Sequence, residues 1–156
     1  MTDTLREALA DYGRGLRAEI ALLRQIEGLS GAQREASVSG DLPRLGQISS
    51  ERDRLTQALV TLEAQVRPVR TALSDHLAQA RRLSGFLELV ALHRQAEQLV
   101  TAILAEDHAT QAALQDAEHA RRLAAQTIEV GEATLAAYRR VLSPAPGSAG
   151  LIDERG

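Results

Sequence analysis

The sequence is 156 residues long, with 44% hydrophobic residues, 2% aromatic residues and a formal net charge of −3. This length is sufficient for one domain with a hydrophobic core, and the scarcity of aromatic side chains favours long helices and coiled coils over a compact globular core. The absence of cysteine excludes disulfides, thiolate metal sites and cysteine nucleophiles.

The sequence has no apparent targeting or membrane-spanning segment. Residues 1–17 carry Asp3, Arg6, Glu7 and Asp11 and lack the apolar region of a secretory signal. No window approaches the ~18 uncharged apolar residues of a membrane span. We therefore expect a cytoplasmic protein without stable membrane insertion.

The first predicted helix covers about residues 3–38. Its apolar residues recur at helical spacing; they are Leu5, Leu9, Tyr12, Leu16, Ile20, Leu23 and Ile26. Gly13, Gly15, Gly28 and Gly31 interrupt this helix, and each costs about 1 kcal/mol relative to Ala in a helix interior. We expect the helix to have low stability in its first turns and at its end.

The clearest boundary in the sequence lies between the first and second helices. Gly40 can end a helix, Asp41 can cap the next one, and Pro43 is tolerated in a first turn. The second predicted helix therefore covers about residues 41–83.

This second helix has a regular heptad of apolar residues. One heptad position is occupied by Ile48, Leu55, Leu62, Val69, His76 and Leu83. Such regularity predicts coiled-coil-like packing, in which His76 is partly buried and sets the register. Pro68 predicts a kink within the helix.

The third predicted helix covers residues 86–142, after a turn at Ser84 and Gly85. It would span roughly 85 Å if straight, whereas the first helix covers only ~50 Å. Part of the third helix should therefore lack one of its intramolecular neighbours. Asp107 and Thr110 interrupt its apolar positions and predict a discontinuity.

Residues 143–156 contain two prolines and three glycines, which exclude a continued helix and predict a flexible tail. The whole pattern predicts an all-α protein, an elongated antiparallel three-helix bundle or coiled coil with a long C-terminal helix. Residues 1–142 would form a single helical domain.

The last turns of the third helix carry two apolar stripes. One stripe comprises Ala124, Ile128, Gly131, Leu135, Tyr138 and Leu142, and the other comprises Leu123, Thr127, Val130, Thr134, Ala137 and Val141. One packed neighbour usually requires only one stripe. Either both are buried, one of them in a homodimer, or the helix binds another protein. In the second case Gly131 would leave a notch for a partner side chain, and Tyr138 would be an anchor.

Sequence motifs for catalysis or metal binding are missing. The chain has neither a Gly-rich phosphate loop nor a G-x-S-x-G elbow. Asp116 and His119 have the spacing of di-iron ligands, but such sites need this element on two helices and further carboxylates. We therefore predict no enzymatic activity, no cofactor and no metal site.

All 18 basic residues are arginines, and some occur in pairs such as Arg121 and Arg122. A nucleic-acid site is nevertheless not predicted, because the net charge is negative, acids are interleaved and stacking aromatics are scarce. The arginine pairs are explained as solvent-exposed residues on the polar faces of helices.

Three stretches together resemble a known family. They are REASVSGDLPRL, SERDRLTQALVTLE and ILAEDHATQAALQDAEHARRLAAQTIEVGEATLAAYRRVL, and they are similar to flagellar type III export chaperones of the FlgN type. The resemblance implies a cytoplasmic, non-enzymatic helical chaperone. Such chaperones bind amphipathic terminal helices of hook–filament junction proteins, prevent premature assembly and deliver the cargo to the export gate.

The resemblance also implies a set of partner-binding residues in the third helix. With the Gly131 notch included, they are Leu123, Ile128, Val130, Gly131, Leu135, Tyr138, Val141 and Leu142. Tyr138 would correspond to the aromatic residue associated with docking at the gate. The alternative function is a structural coiled-coil scaffold or dimerisation module, in which both stripes are satisfied without cargo.

Overall fold

The computed structural model describes the backbone of residues 2–142 and the side chains of residues 2–133 and 135–137. Four helices occur in this part of the chain: α1 (Thr2–Ser39), α2 (Leu42–Asp75), α3 (Leu77–Ala80) and α4 (Phe86–Leu142). No strand occurs among these residues, so the all-α prediction is confirmed. The predicted tail, residues 143–156, lies outside the described part.

Backbone contacts divide the chain into two units, Met1–Leu114 and Gln115–Gly156. In the first unit α1, α2 and the first half of α4 form a bundle. Arg17 pairs with Glu88 and Arg34 with Glu106, so α1 and α4 run parallel. Between α1 and α2 the order of contacts is reversed. The later residue Gln33 of α1 accepts a hydrogen bond from the earlier residue Arg52 of α2, and Gly15 lies against Val66, so α2 is antiparallel to α1. The described part of the second unit is the remainder of α4.

The turn between α1 and α2 forms where the sequence predicts it. α1 ends at Ser39, and Gly40 adopts a positive φ of 72°, a conformation that favours glycine. Asp41 Oδ1 accepts a hydrogen bond from the Arg44 N–H at 3.2 Å, and Pro43 lies in the first turn of α2. The side-chain cap and the proline explain why α2 begins here.

The predicted apolar stripe of α1 forms the centre of the first unit. All seven of its members, from Leu5 to Ile26, are buried. They belong mainly to two clusters. The first also contains Val66, Leu73, Ala80 and Leu89, and the second contains Leu55 and Ile103. The stripe of α1 therefore packs against α2 and α4 at the same time.

The second predicted helix is interrupted at His76, and the kink at Pro68 stays a prediction. α2 continues as a helix through Pro68, between the buried Val66 and Leu73. The His76 N–H instead bonds the Leu73 carbonyl, three residues back, and His76 has φ −121° and ψ 34°. Its side chain is exposed, so the prediction that His76 sets the register from a partly buried position is wrong.

The discontinuity predicted in α4 is absent, since α4 is one helix from Phe86 to Leu142, and the polar residues at this point have partners. Asp107 accepts hydrogen bonds of 2.7 and 2.6 Å from the Arg52 guanidinium, which also donates to Gln33 at 2.7 Å. Thr110 donates to the Glu106 carbonyl within the helix. The Arg52 contacts therefore join α1, α2 and α4 and fix their register.

We predict that Gly15→Ala destabilises the bundle by about 1–3 kcal/mol. A Cβ at Gly15 would lie 2.5 Å from Cγ2 of Val66, so the two helices would have to separate. Gly28→Ala is the matched control on α1, since a Cβ there meets nothing within 4 Å, and it should stabilise by about 0.5–1 kcal/mol. Urea denaturation measures both, and shifts of the same sign would contradict the close approach.

We also predict that Arg52→Lys lowers the stability by about 1 kcal/mol, because lysine lacks the planar fork that reaches both oxygens of Asp107. Arg54→Lys is the control, since Arg54 pairs only with Glu51 on the exposed surface of α2 among the described residues. Thermal denaturation compares the two. Equal melting temperatures would show that the Arg52 contacts do not fix the bundle.

Candidate functional site

The predicted partner-binding residues all belong to the part of α4 in the second unit. They are Leu123, Ile128, Val130, Gly131, Leu135, Tyr138, Val141 and Leu142. The side chains of Tyr138, Val141 and Leu142 lie outside the described residues. The other five are described, and their role in binding a partner stays a prediction.

The described apolar side chains of this segment lie on the surface. Relative exposure is 50% for Leu123, 61% for Ile128, 67% for Val130 and 57% for Leu135. A Cβ at Gly131 would meet no atom of the described residues within 4 Å. Every described side chain from position 119 to position 137 is exposed, so the apolar stripes of this segment do not form a core within it.

Polar groups near the start of the segment are paired within the helix. Glu118 accepts hydrogen bonds from Arg121 at 2.7 and 2.9 Å and from Arg122 at 3.2 Å. The Arg121 hydrogen bond is the main cause that lowers the pKa of Glu118. Thr127 donates to the Leu123 carbonyl at 3.0 Å, so its hydroxyl does not require a partner protein.

The structure reveals a second feature, a buried carboxyl group, that was not predicted. Glu19 on α1 is 8% exposed and lies within the apolar stripe, between Leu16 and Leu23. Oε1 of Glu19 has no hydrogen-bond partner among the described residues. Glu19 lies three positions after Leu16 and four before Leu23. This helical spacing places an acidic residue on the buried face of α1, and it is the sequence signal that would have identified the buried carboxyl group.

Glu19 lines a cleft of about 540 Å³ in the first unit. Apolar side chains of all three long helices form much of its wall, among them Leu16, Leu59 and Val100. Glu63 and Arg70 of α2 and His93 and Glu97 of α4 also line it. The cleft therefore combines apolar walls with several titratable groups.

The electrostatics of the cleft follow from the Arg70–Glu63 ion pair, the contact of His93 Nδ1 with Glu97 Oε1 at 3.5 Å, and one buried acid. Arg70 Nη2 donates to Glu63 Oε1, and this bond raises the pKa of Arg70 and lowers the pKa of Glu63. Burial is the main cause that raises the pKa of Tyr12, against the influence of Arg70. Burial, followed by the neighbouring Glu63 carboxylate, raises the pKa of Glu19 to about 7.

Two further kinds of site do not occur in the described part of the chain. Residues 2–142 contain no group of three histidine or carboxylate side chains arranged to hold a metal ion. No helix among them has the length and apolar character needed to cross a membrane. The candidate features are therefore the exposed segment of α4 and the cleft at Glu19.

We predict that Glu19→Gln stabilises the protein at about pH 8 by roughly 2 kcal/mol and has little effect near pH 4. The folded chain keeps the Glu19 proton up to about pH 7, whereas the ordinary pKa is 4.5. Because the unfolded chain loses this proton first, stability falls as the pH rises from about 4.5 to 7. Glutamine stays neutral and avoids the loss.

Glu27→Gln is the control for this measurement, because Glu27 is an exposed acid on the same helix. Urea denaturation at several pH values gives the free energy of unfolding of each variant. A Glu19→Gln effect that does not change with pH would contradict the buried, protonated carboxyl group.

Comparisons of the sequence with protein-family models and with curated proteins, and of the structure with solved structures, found no match. The functional conclusions therefore depend on the residues and contacts described above, together with the sequence pattern.

Proposed function

We propose that this protein is a cytoplasmic export chaperone of the FlgN type. It would bind amphipathic terminal helices of hook–filament junction proteins, prevent their premature assembly and present them to the export gate. The proposal depends mainly on one observation: Leu123, Ile128 and Leu135 are between 50% and 61% exposed on the second unit's part of α4.

Exposed aliphatic side chains on a helix favour the binding of another helix. Fully burying a Leu or Ile side chain contributes about 1.5–3 kcal/mol, so covering part of three such side chains is a substantial driving force. An amphipathic helix presents apolar residues at the same spacing and can pack against them. Cargo helices of this kind fit the surface without a preformed pocket.

The spacing along α4 also supports a helical partner. Ile128 and Leu135 are seven residues apart, two turns or ~10 Å along the axis. Gly131 lies between them, and no described atom occupies the space where its side chain would be. A large apolar side chain of the cargo helix would fit over Gly131, with Ile128 and Leu135 on either side.

The proposal assigns no catalytic residue and no cofactor. The ion pairs of Glu118 with Arg121 and Arg122 are satisfied within α4, so apolar contact would supply most of the cargo affinity. Tyr138 would contribute to docking at the gate in this proposal.

The alternative is a coiled-coil scaffold or dimerisation module, and the same exposed side chains support it. A second copy of the chain would cover Leu123, Ile128 and Leu135 in place of cargo. The two functions differ in what the purified full chain does alone and in the presence of a cargo helix.

We predict that the full chain binds a peptide comprising the terminal helix of a hook–filament junction protein, and that Leu135→Asp weakens this binding at least tenfold, about 1.4 kcal/mol. Isothermal titration calorimetry measures the affinity. Ala136→Asp is the matched control, because it adds the same charge one position along α4, about 100° away from Leu135.

Gly131→Leu should also weaken binding, since the added side chain occupies the space left for the cargo. Circular dichroism checks that each variant keeps its helicity, and analytical ultracentrifugation gives the mass of the chain with and without peptide. A stable dimer that binds no such peptide would contradict the chaperone and support the scaffold.

A further inference from the structure

The cleft in the first unit has the size of a small-molecule site. Its volume of about 540 Å³ lies within the roughly 300–1,000 Å³ that is usual for ligand pockets. Leu16 and Leu23 of α1, Leu59 of α2 and Val100 of α4 supply apolar wall. Because these residues lie on three packed helices, the cleft exists before any ligand arrives.

A buried carboxyl group is among the residues that line the cleft. Glu19 is only 8% exposed, and its Oε1 forms no hydrogen bond within the described chain. Leaving a buried acceptor unsatisfied is unfavourable. A ligand that donates a hydrogen bond to the Glu19 carboxylate would offset this cost.

The charges around the cleft favour a cation. Three carboxyl groups line it, those of Glu19, Glu63 and Glu97, together with Arg70 and His93. The Arg70 guanidinium donates to Glu63, and its charge also acts on Glu19. His93 Nδ1 lies 3.5 Å from Glu97 Oε1. The three carboxyl groups outnumber these two basic groups, so an anionic ligand would be disfavoured and a positively charged donor favoured.

We infer that this cleft binds a small organic cation, an ammonium group carried on an alkyl chain. The ammonium group donates a hydrogen bond to the Glu19 carboxylate. The alkyl chain lies against Leu16, Leu59 and Val100 and is removed from water. This binding site is separate from the cargo surface of the proposed function, because all of its residues belong to the first unit.

Protons compete with the ligand for Glu19. Burial raises the pKa of Glu19 to about 7, so its carboxyl group is ionised mainly above this pH. The other titratable groups at the cleft are Tyr12 on α1, Glu63 and Arg70 on α2, and His93 and Glu97 on α4. An alkylammonium stays charged up to about pH 9, as lysine does, so affinity should rise with pH between 6 and 8.

Hexylammonium chloride is the probe for the test, with hexanol and sodium hexanoate as neutral and anionic ligands of the same chain length. Isothermal titration calorimetry of the full chain at about pH 8 should show saturable binding of one hexylammonium per chain. Hexanol should bind at least tenfold more weakly, and hexanoate should not bind.

Glu19→Gln should weaken hexylammonium binding at least tenfold, and the exposed Glu27→Gln should leave it unchanged. A second measurement uses the wild-type chain, in which carbon-13 NMR follows the ionisation of the Glu19 carboxyl group. Hexylammonium should lower the pKa of Glu19. Equal affinities for hexylammonium and hexanol, full binding by Glu19→Gln, or an unchanged Glu19 titration would each overturn the inference.

Discussion

The packing of the apolar stripe of α1 against both α2 and α4 is the contact on which the first unit depends. Its side chains are buried from Leu5 to Ile26, and they lie in both hydrophobic clusters. The absence of a side chain at Gly15 lets α2 approach until Val66 fills that space. The Arg52 contacts then fix the register of the three helices. Apolar burial supplies the driving force, and the polar contacts select one arrangement.

α4 buries some of its apolar residues in the first unit, where Leu87 and Leu104 are nevertheless exposed, and buries none of the described ones beyond position 118. In the first unit Leu89 and Ile103 are buried with residues of the other helices. In the second unit Leu123, Ile128 and Leu135 are exposed. Aliphatic side chains that lie exposed along a helix favour contact with another molecule. This contrast is the physical basis of the proposed chaperone function.

The sequence predicts the features that depend on local pattern. Helical periodicity identifies the buried residues of α1, and Gly40, Asp41 and Pro43 identify the turn before α2. The break at His76, the Arg52–Asp107 pair and the cleft at Glu19 depend on how distant residues meet. Heptad spacing places His76 at an apolar position of the second predicted helix, and it treats Asp107 as an interruption of the apolar pattern of α4. Spacing alone carries no information on partners in other helices. Spacing likewise places Ile128 and Leu135 on one face of α4, whereas their exposure required the structure.

The most direct test of the central claim is methyl NMR of the full chain during titration with a cargo-type amphipathic peptide. The account predicts that the methyl signals of Leu123, Ile128 and Leu135 shift, while those of buried Leu16 and Ile103 keep their positions. Peptide binding that shifts the signals of Leu16 and Ile103 and leaves Leu123, Ile128 and Leu135 unchanged would contradict it.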